Sequence, residues 1–472
     1  MPPIDNVLLS LLALLYLTPA ALSVYHALLY KRDSRAAMGW IMACIFVPYG
    51  GPVAYFLFGI NRVKTRARGI KRHLFNIEYE GSGRHLAPKR TQRKGLSSIG
   101  FRITGTPLST GNTVESLYNG DEAYPAMLEA IRSAREEILL TTYILKSDTT
   151  GQQFIDALRD AHERGVTVKV LIDGIGEWYS RPRSSKLLKK SGIPHARFLP
   201  PRLLPPSFLI NLRNHRKLLI LDRRMAFAGG MNIGDNHTSF PDRPREVTDI
   251  HFGLRGPVVD DLARVFFEDW SFSTKEKADF SPRMTKTLDG DAQCRVIPDG
   301  PDEGLDALAF TIDAVIAGSE KTVDIMTPYF LPSRELISSL HSAALRGVRV
   351  RVVLPGKNNL FYVHWANRNV LGELAKWGIE VYYQPAPFCH SKLICIDDDY
   401  SMIGSANLDP RSLRLNFEIG IEVFSASLNR ELRLHFDTSI EACTQVTQKS
   451  MTDRSVPVRL RDSFVSLFAP YF

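Results

Sequence analysis

One residue stands between His215 and Lys217 and four between that lysine and Asp222, and then come Gly229, Gly230 and Asn232. The arrangement returns at His390, Lys392 and Asp397, with Gly404, Ser405 and Asn407 behind it. Both copies read His-x-Lys-x4-Asp-x6-Gly-[Gly/Ser]-x-Asn. A neutral imidazole can attack phosphorus and carry the phosphoryl group covalently. A second imidazole can protonate the departing alcohol and then deprotonate the incoming one. Lys217, Lys392, Asn232 and Asn407 offer donors to the non-bridging phosphate oxygens, where charge sits in the transition state. This division of labour needs no metal and no other cofactor. A single such motif arises readily by chance, whereas two with matching Gly-x-Asn tails do not.

The residues between lysine and aspartate are apolar in both copies, Leu218 to Leu221 and Leu393 to Ile396. Such runs read as short strands buried on both faces. Residues two apart on a strand share a face, so each His and Lys should point the same way. Around the first motif, Ala126 to Ala134 reads as a helix with Pro125 suited to its first turn. Ile138 to Tyr143 reads as a strand, Phe154 to Glu163 as a helix, and Arg164 to Gly174 as a turn and strand. The order then repeats. Thr327 to Leu331 matches Thr141 to Leu145 at an offset of 186, Arg346 to Gly356 matches Arg164 to Gly174 at 182, and the histidines differ by 175. Offsets that drift so little mark a tandem duplication with altered loops. Strands alternating with helices imply an α/β sandwich in each half, over residues 105–285 and 286–472.

The 472 residues are 44% hydrophobic and 23% charged, an ordinary globular balance. The five cysteines are scattered without a CxxC pair, which suits free thiols in a reduced compartment. Cys389, beside His390, reads as a small strand-core residue. Val7 to Tyr30 and Met38 to Ile60 each lack Asp, Glu, Lys and Arg, and each is long enough to cross a bilayer. A cleaved leader is the rival for the first run, but the residues ahead of it carry only an acid, Asp5. Residues 1–60 are therefore expected to be a retained membrane anchor. Pro48-Tyr-Gly-Gly-Pro52 interrupts the second run, so it is expected either to span with a kink or to re-enter. Residues 61–104 read as a basic juxtamembrane linker, with twelve Lys and Arg against two acids, a net of +10 in a chain of +9, so the remainder sums to −1. The basic balance is a local, membrane-proximal feature. It keeps the rest of the chain on the cytoplasmic side and fits an anionic lipid surface better than nucleic acid.

The paired motifs resemble the phospholipase D superfamily. That resemblance implies that the halves pack face to face with both motifs in one site. It also implies that a carboxylate orients each imidazole: Asp249 for His215 and Glu418 for His390. Asp222 and Asp397 then support the lysines and the half–half interface. The two membrane runs, Asn211 to Lys217 and Gly404 to Ser412 narrow the likeness to bacterial cardiolipin synthases. The expected architecture is thus α/β, with two tandem phospholipase D-like sandwich halves preceded by N-terminal transmembrane helices, in a multi-pass protein of the bacterial inner membrane. The family reading implies that His215 takes a phosphatidyl group from one phosphatidylglycerol and that His390 serves as acid and base. A second phosphatidylglycerol receives the group, giving cardiolipin and glycerol. A membrane-bound hydrolase and an inactive membrane scaffold are the rival functions. Pro200 to Ile210 reads either as an interfacial loop or as a buried connection, and Leu467 to Phe472 is expected to pack against the second half.

Overall fold

The computed structural model describes residues 4–31, 34–59, 95–201, 212–277, 280–283, 289–301 and 306–469. Most of the basic stretch after the second apolar run and most of the Pro-rich stretch before the first motif lie outside them. The chain divides into two compact units, Met1–Ala67 and Arg68–Phe472.

In the first unit, α1 (Ile4–Tyr30) is followed by α2 (Ser34–Phe46), α3 (Gly50–Ala54) and a π turn at Tyr55–Gly59. Ala27, Cys44 and Tyr55 form a small core between them, and His26 Nδ1 lies 2.8 Å from the Tyr55 hydroxyl. Among the described residues only Ala13–Tyr30 is long and apolar enough to cross a membrane. The expectation of a second span is not met. The 13 residues of α2 rise about 20 Å against a hydrocarbon core of roughly 30 Å, because the chain breaks at Val47 to Tyr49.

Among the described residues of the second unit the first helix is α4 (Ser97–Thr104), in a stretch expected to be linker. Ile99 and Ile103, four apart, turn one face onto the second half's core, and Arg295 Nη2 donates to Ser97 O at 3.0 Å. The strands are β1 (Ser109–Tyr118), β2 (Glu137–Thr142), β3 (Thr167–Asp173), β4 (His195–Phe198), β5 (Leu218–Leu221), β6 (Met225–Gly229), β7 (Val247–Thr248) and β8 (Ile250–Arg255) in the first half. In the second they are β9 (Ala292–Asp299), β10 (Thr322–Met326), β11 (Arg349–Pro355), β12 (Glu380–Gln384), β13 (Phe388–Cys389), β14 (Leu393–Ile396), β15 (Tyr400–Gly404), β16 (Glu418–Phe424) and β17 (Thr444–Val446). From the antiparallel contact of β1 with β9, the order runs outward as β1-β8-β6-β5-β2-β3-β4 on one side and β9-β16-β15-β14-β10-β11-β12 on the other. The duplication is therefore structural, with β17 added at the far edge of the second half.

The helices of the first half are α5 (Asn119–Ser133), α6 (Thr149–Glu163), α7 (Ser184–Lys190) and α8 (Val258–Thr274). Those of the second are α9 (Ala307–Ala317), α10 (Arg334–Leu345), α11 (Phe361–Lys376), α12 (Ala426–Glu441), α13 (Gln448–Thr452) and α14 (Val456–Ser466). Inner faces of both half-sheets share one core with α8 and α12, while separate clusters lie under α5 to α7 and under α9 to α11. Two helix starts fall earlier than their apolar spacing suggests. Asp148 caps α6 through Gly151 N–H, and the buried Gly120, Ala123 and Tyr124 hold the first turn of α5, leaving Pro125 inside it. The C-terminal expectation is corrected in part: Leu467 is 70% exposed and Phe468 45%, and residues 470–472 lie outside the described set.

Candidate active site

Both motif strands, β5 and β14, are wholly buried, as their composition requires. The histidines and lysines lie just ahead of them, in extended segments that bond to the other half. His215 N–H donates to Phe417 O at 2.9 Å and Phe417 N–H to Arg213 O at 2.8 Å. In the second half, His390 N–H donates to Thr248 O at 2.8 Å and Phe388 N–H to Glu246 O at 3.0 Å. Each motif therefore runs parallel to the residues that precede the other half's carboxylate.

That register corrects the expected pairing. His215 Nδ1 lies 3.0 Å from Glu418 Oε1 and 3.1 Å from Oε2, and His390 Nδ1 lies 2.8 Å from Asp249 Oδ2. The carboxylates cross between halves. A carboxylate accepting from Nδ1 holds the ring proton there and leaves the lone pair on Nε2.

The two pairs differ in support. Ser405 Oγ donates to Glu418 at 2.5 Å and Asn416 Nδ2 at 3.1 Å. Burial pushes the Glu418 carboxyl up, but His215, Lys217 and Ser405 outweigh it and hold it below its ordinary range. At the position matching Ser405 stands Gly230, where a Cβ would come within 3.0 Å of Asp249 Oδ2 and 3.1 Å of Lys392 Cδ. Lys392 thus reaches across onto the first half's Gly-Gly turn. Asp249 is raised by burial, against the pull of Lys392.

Burial lowers both histidines, His390 further, with Lys392, Lys217 and His215 adding to it. Burial also brings Lys217 down to about 7 and Lys392 to about 8. The ammonium groups donate to the His215 and His390 carbonyls at 2.5 and 2.6 Å. A phosphodiester placed beside the two lysines would offset their mutual repulsion and favour their charged form.

Asn232 and Asn407 close the two turns. Asn232 Oδ1 accepts from Ile144 N–H at 3.3 Å, and Asn407 Nδ2 donates to Ser412 Oγ at 3.1 Å while its Oδ1 is buried without a partner.

Asp222 and Asp397 are not in the site, nor do they support the lysines or the interface between halves. Five residues of extended chain put each about 16 Å along the strand from its lysine. Asp222 accepts from the backbone N–H groups of Arg135, Glu136 and Glu137, and Asp397 from those of Glu320, Lys321 and Thr322. Each sits at positive φ, 50° and 52°, and ties the motif strand's far end to the start of its neighbour.

Several residues around the site escaped the sequence reading. Asp173 accepts from Asn214 N–H at 2.9 Å and Arg213 Nη1 at 3.3 Å, and Asp269 accepts from Asn214 Nδ2 at 2.9 Å and Arg216 Nη1 at 2.6 Å. These two buried acids brace the segment that delivers His215. The Tyr143 ring lies 5.3 Å from that of His215. Its repeat partner, Tyr329, packs 6.3 Å from Phe388, whose ring is 6.0 Å from His390. The internal match of Thr141 to Leu145 with Thr327 to Leu331 was the available signal for both tyrosines. Cys389 is buried in β13 and raised to about 11 by burial, a core residue as expected. Among the described residues no group of His, Cys, Asp and Glu is arranged to hold a metal ion.

Two duplicated α/β halves that each lend a His–Lys pair to one buried centre define a phospholipase D-like fold. Residues 127–270 and 312–440 match the family described as cardiolipin synthase, PLD-like domain, and residues 19–59 match the phospholipase D-nuclease N-terminal family. The chain belongs to the PLD-like cardiolipin synthase family, and it is a phosphatidyltransferase. A cardiolipin synthase of Oceanobacillus iheyensis is 29% identical over 98% of this chain and 98% of its own length. One from Halalkalibacterium halodurans is 30% identical over 94% of this chain and 90% of its own. The crystal structure of phosphatidylserine synthase from Haemophilus influenzae Rd KW20 shares the fold, with a TM-score of 0.62 and 16% identity over 80% of this chain and 100% of that one.

Proposed function

We propose that the chain makes cardiolipin from two molecules of phosphatidylglycerol. The observation that carries this reading is the crossed pair of imidazoles, each backed by the other half's carboxylate. His215 Nε2 attacks the phosphorus of the first lipid. The bond from phosphorus to the glycerol headgroup breaks, and His390 gives glycerol its proton. His390 then takes the proton of a hydroxyl on the second phosphatidylglycerol, whose oxygen attacks phosphorus and releases His215. One phosphodiester replaces another, so no nucleotide is consumed. Lys217, Lys392, Asn232 and Asn407 are assigned to the non-bridging oxygens. Glu418 supports His215 as nucleophile, because a carboxylate held ionised stabilises the positive ring bonded to phosphorus. Asp249, raised by burial, suits a ring that passes protons. Expression in bacteria lacking cardiolipin tests the reading. Cardiolipin should appear in the extracted lipids at the expense of phosphatidylglycerol; accumulation of phosphatidic acid alone would make the chain a hydrolase.

We further propose that residues 1–60 anchor the chain through α1, that α2 re-enters, and that the basic stretch and the second unit lie on the cytoplasmic side. The one long apolar helix among the described residues and the break at Pro48 support this. A chain lacking residues 1–60 should be released by alkaline extraction. Its retention in the membrane would remove α1 from this role.

A further inference from the structure

Helix α14 presents two unlike faces. Inward, Val465 and the following Ala469 pack with Tyr329, Leu360 and Tyr362 around Leu331, Val363 and Ala366. The buried Asp462 is held by Arg368, Arg454 and Arg461. Outward, Val456, Leu460 and Phe464 are 64%, 66% and 63% exposed, and Leu467 and Phe468 continue the run. At about 100° per residue these five side chains fall within one arc of about 120°. The exposed Arg459 borders the arc on one side; on the other, the Arg461 guanidinium stacks 4.0 Å over the Trp365 ring. No acid lies on the stripe, since the only one in the helix is Asp462, turned inward.

The inward face of the helix connects to the active site through two ring contacts. Tyr329, against which α14 packs, leads through Phe388 to His390. Phe361, 61% exposed, stands next to Tyr362 and Trp365. The first half supplies a matching rim. Tyr143 leads from His215 to Tyr179, which is 63% exposed, and its neighbour Trp178 carries the Arg183 guanidinium 5.5 Å from its ring. Apolar side chains bordered by arginine, with Trp and Tyr at the edge, are the composition that settles at the boundary between headgroups and acyl chains.

We propose that the outer stripe of α14, with Phe361 and the Trp178–Tyr179 pair, seats the mouth of the active site on an anionic phospholipid bilayer, so that lipid passes to His215 and His390 without crossing water. Bordering arginines and the lack of an acid on the stripe favour a negatively charged surface over a second copy of this chain, which would face it with the same positive edge. The inference rests on the reading of the substrate as a membrane lipid.

The full chain, with Cys443→Ser, is reconstituted into vesicles of phosphatidylglycerol and phosphatidylcholine with a nitroxide at Phe464→Cys, or at Leu434→Cys on α12 as the reference. Docking requires position 464 to collide mainly with oxygen and position 434 mainly with a water-soluble nickel chelate, and the difference should shrink when phosphatidylglycerol is omitted. Equal nickel collision at both positions, or spin–spin broadening at 464 from a neighbouring copy, overturns the proposal. In parallel, Leu460→Ser/Phe464→Ser/Leu467→Ser should lower turnover of bilayer lipid about tenfold and leave turnover of a monomeric short-chain substrate unchanged. Equal losses on both substrates also overturn it. Immersion of the label at position 464, together with a wild-type chain that turns over neither substrate, would keep the docking surface and refute the proposed reaction.

Discussion

Replacing His215 or His390 with alanine is expected to lower phosphatidyl transfer by roughly 10⁴- to 10⁶-fold in either single variant, and the double variant should be little worse. The physical reason is that the two rings serve one phosphorus atom in sequence, so removing either stops the same cycle. The variants should differ in what they trap. With His390 absent, His215 can still take the phosphatidyl group from a substrate with a good leaving group, and mass spectrometry of quenched enzyme should find it on that residue. With His215 absent no adduct should form. An adduct on His390 in the His215→Ala protein would reverse the two roles. Half of the activity surviving in either single variant would mean two independent sites.

Glu418→Gln and Asp249→Asn should each cost roughly 10³- to 10⁴-fold in turnover, since a neutral amide neither stabilises a positive imidazole nor holds the right tautomer. Both replacements keep size and shape in buried positions, so folding is expected to survive. What distinguishes them is the half-reaction lost, because each carboxylate serves the histidine of the other half. Glu418→Gln should slow formation of the His215 adduct even with a good leaving group. Asp249→Asn should allow that adduct and slow its transfer to an acceptor alcohol. If Asp249→Asn blocked adduct formation while Glu418→Gln spared it, the crossed pairs would not describe the working enzyme.

Much of this was legible in the chain. Two copies of one motif, two apolar runs of four residues and nearly constant offsets between repeats are local patterns, and a local pattern survives in sequence because it dictates a local structure. Leu218 to Leu221 and Leu393 to Ile396 had to be buried strands, and the duplication had to give matched half-sheets. Other local readings failed where packing supplied the deciding energy. Pro125 lies inside a helix whose buried first turn holds it, and Leu467 stays exposed.

Which carboxylate serves which histidine lay outside the reach of spacing. Asp249 and Glu418 each follow a motif in their own half, and spacing alone joins them to it. The choice depends on backbone bonds between residues far apart in the chain, Phe417 with Arg213 and His215, and Thr248 with His390. These exist only once the halves have packed. The same contacts hide the bracing of His215 by Asp173 and Asp269, and place Lys392 against Gly230. The motif aspartates make the converse case. They are constant members of the pattern, yet they pin the far end of each strand, about 16 Å from the lysines, because a strand carries its last residue away from its first. The sequence by itself therefore determined the reactive groups, the strands that carry them and their twofold repetition, all of which follow from short-range rules of side-chain type and periodicity. Only the tertiary structure decided how those groups are paired, since pairing is set by the register between two halves that no local rule connects.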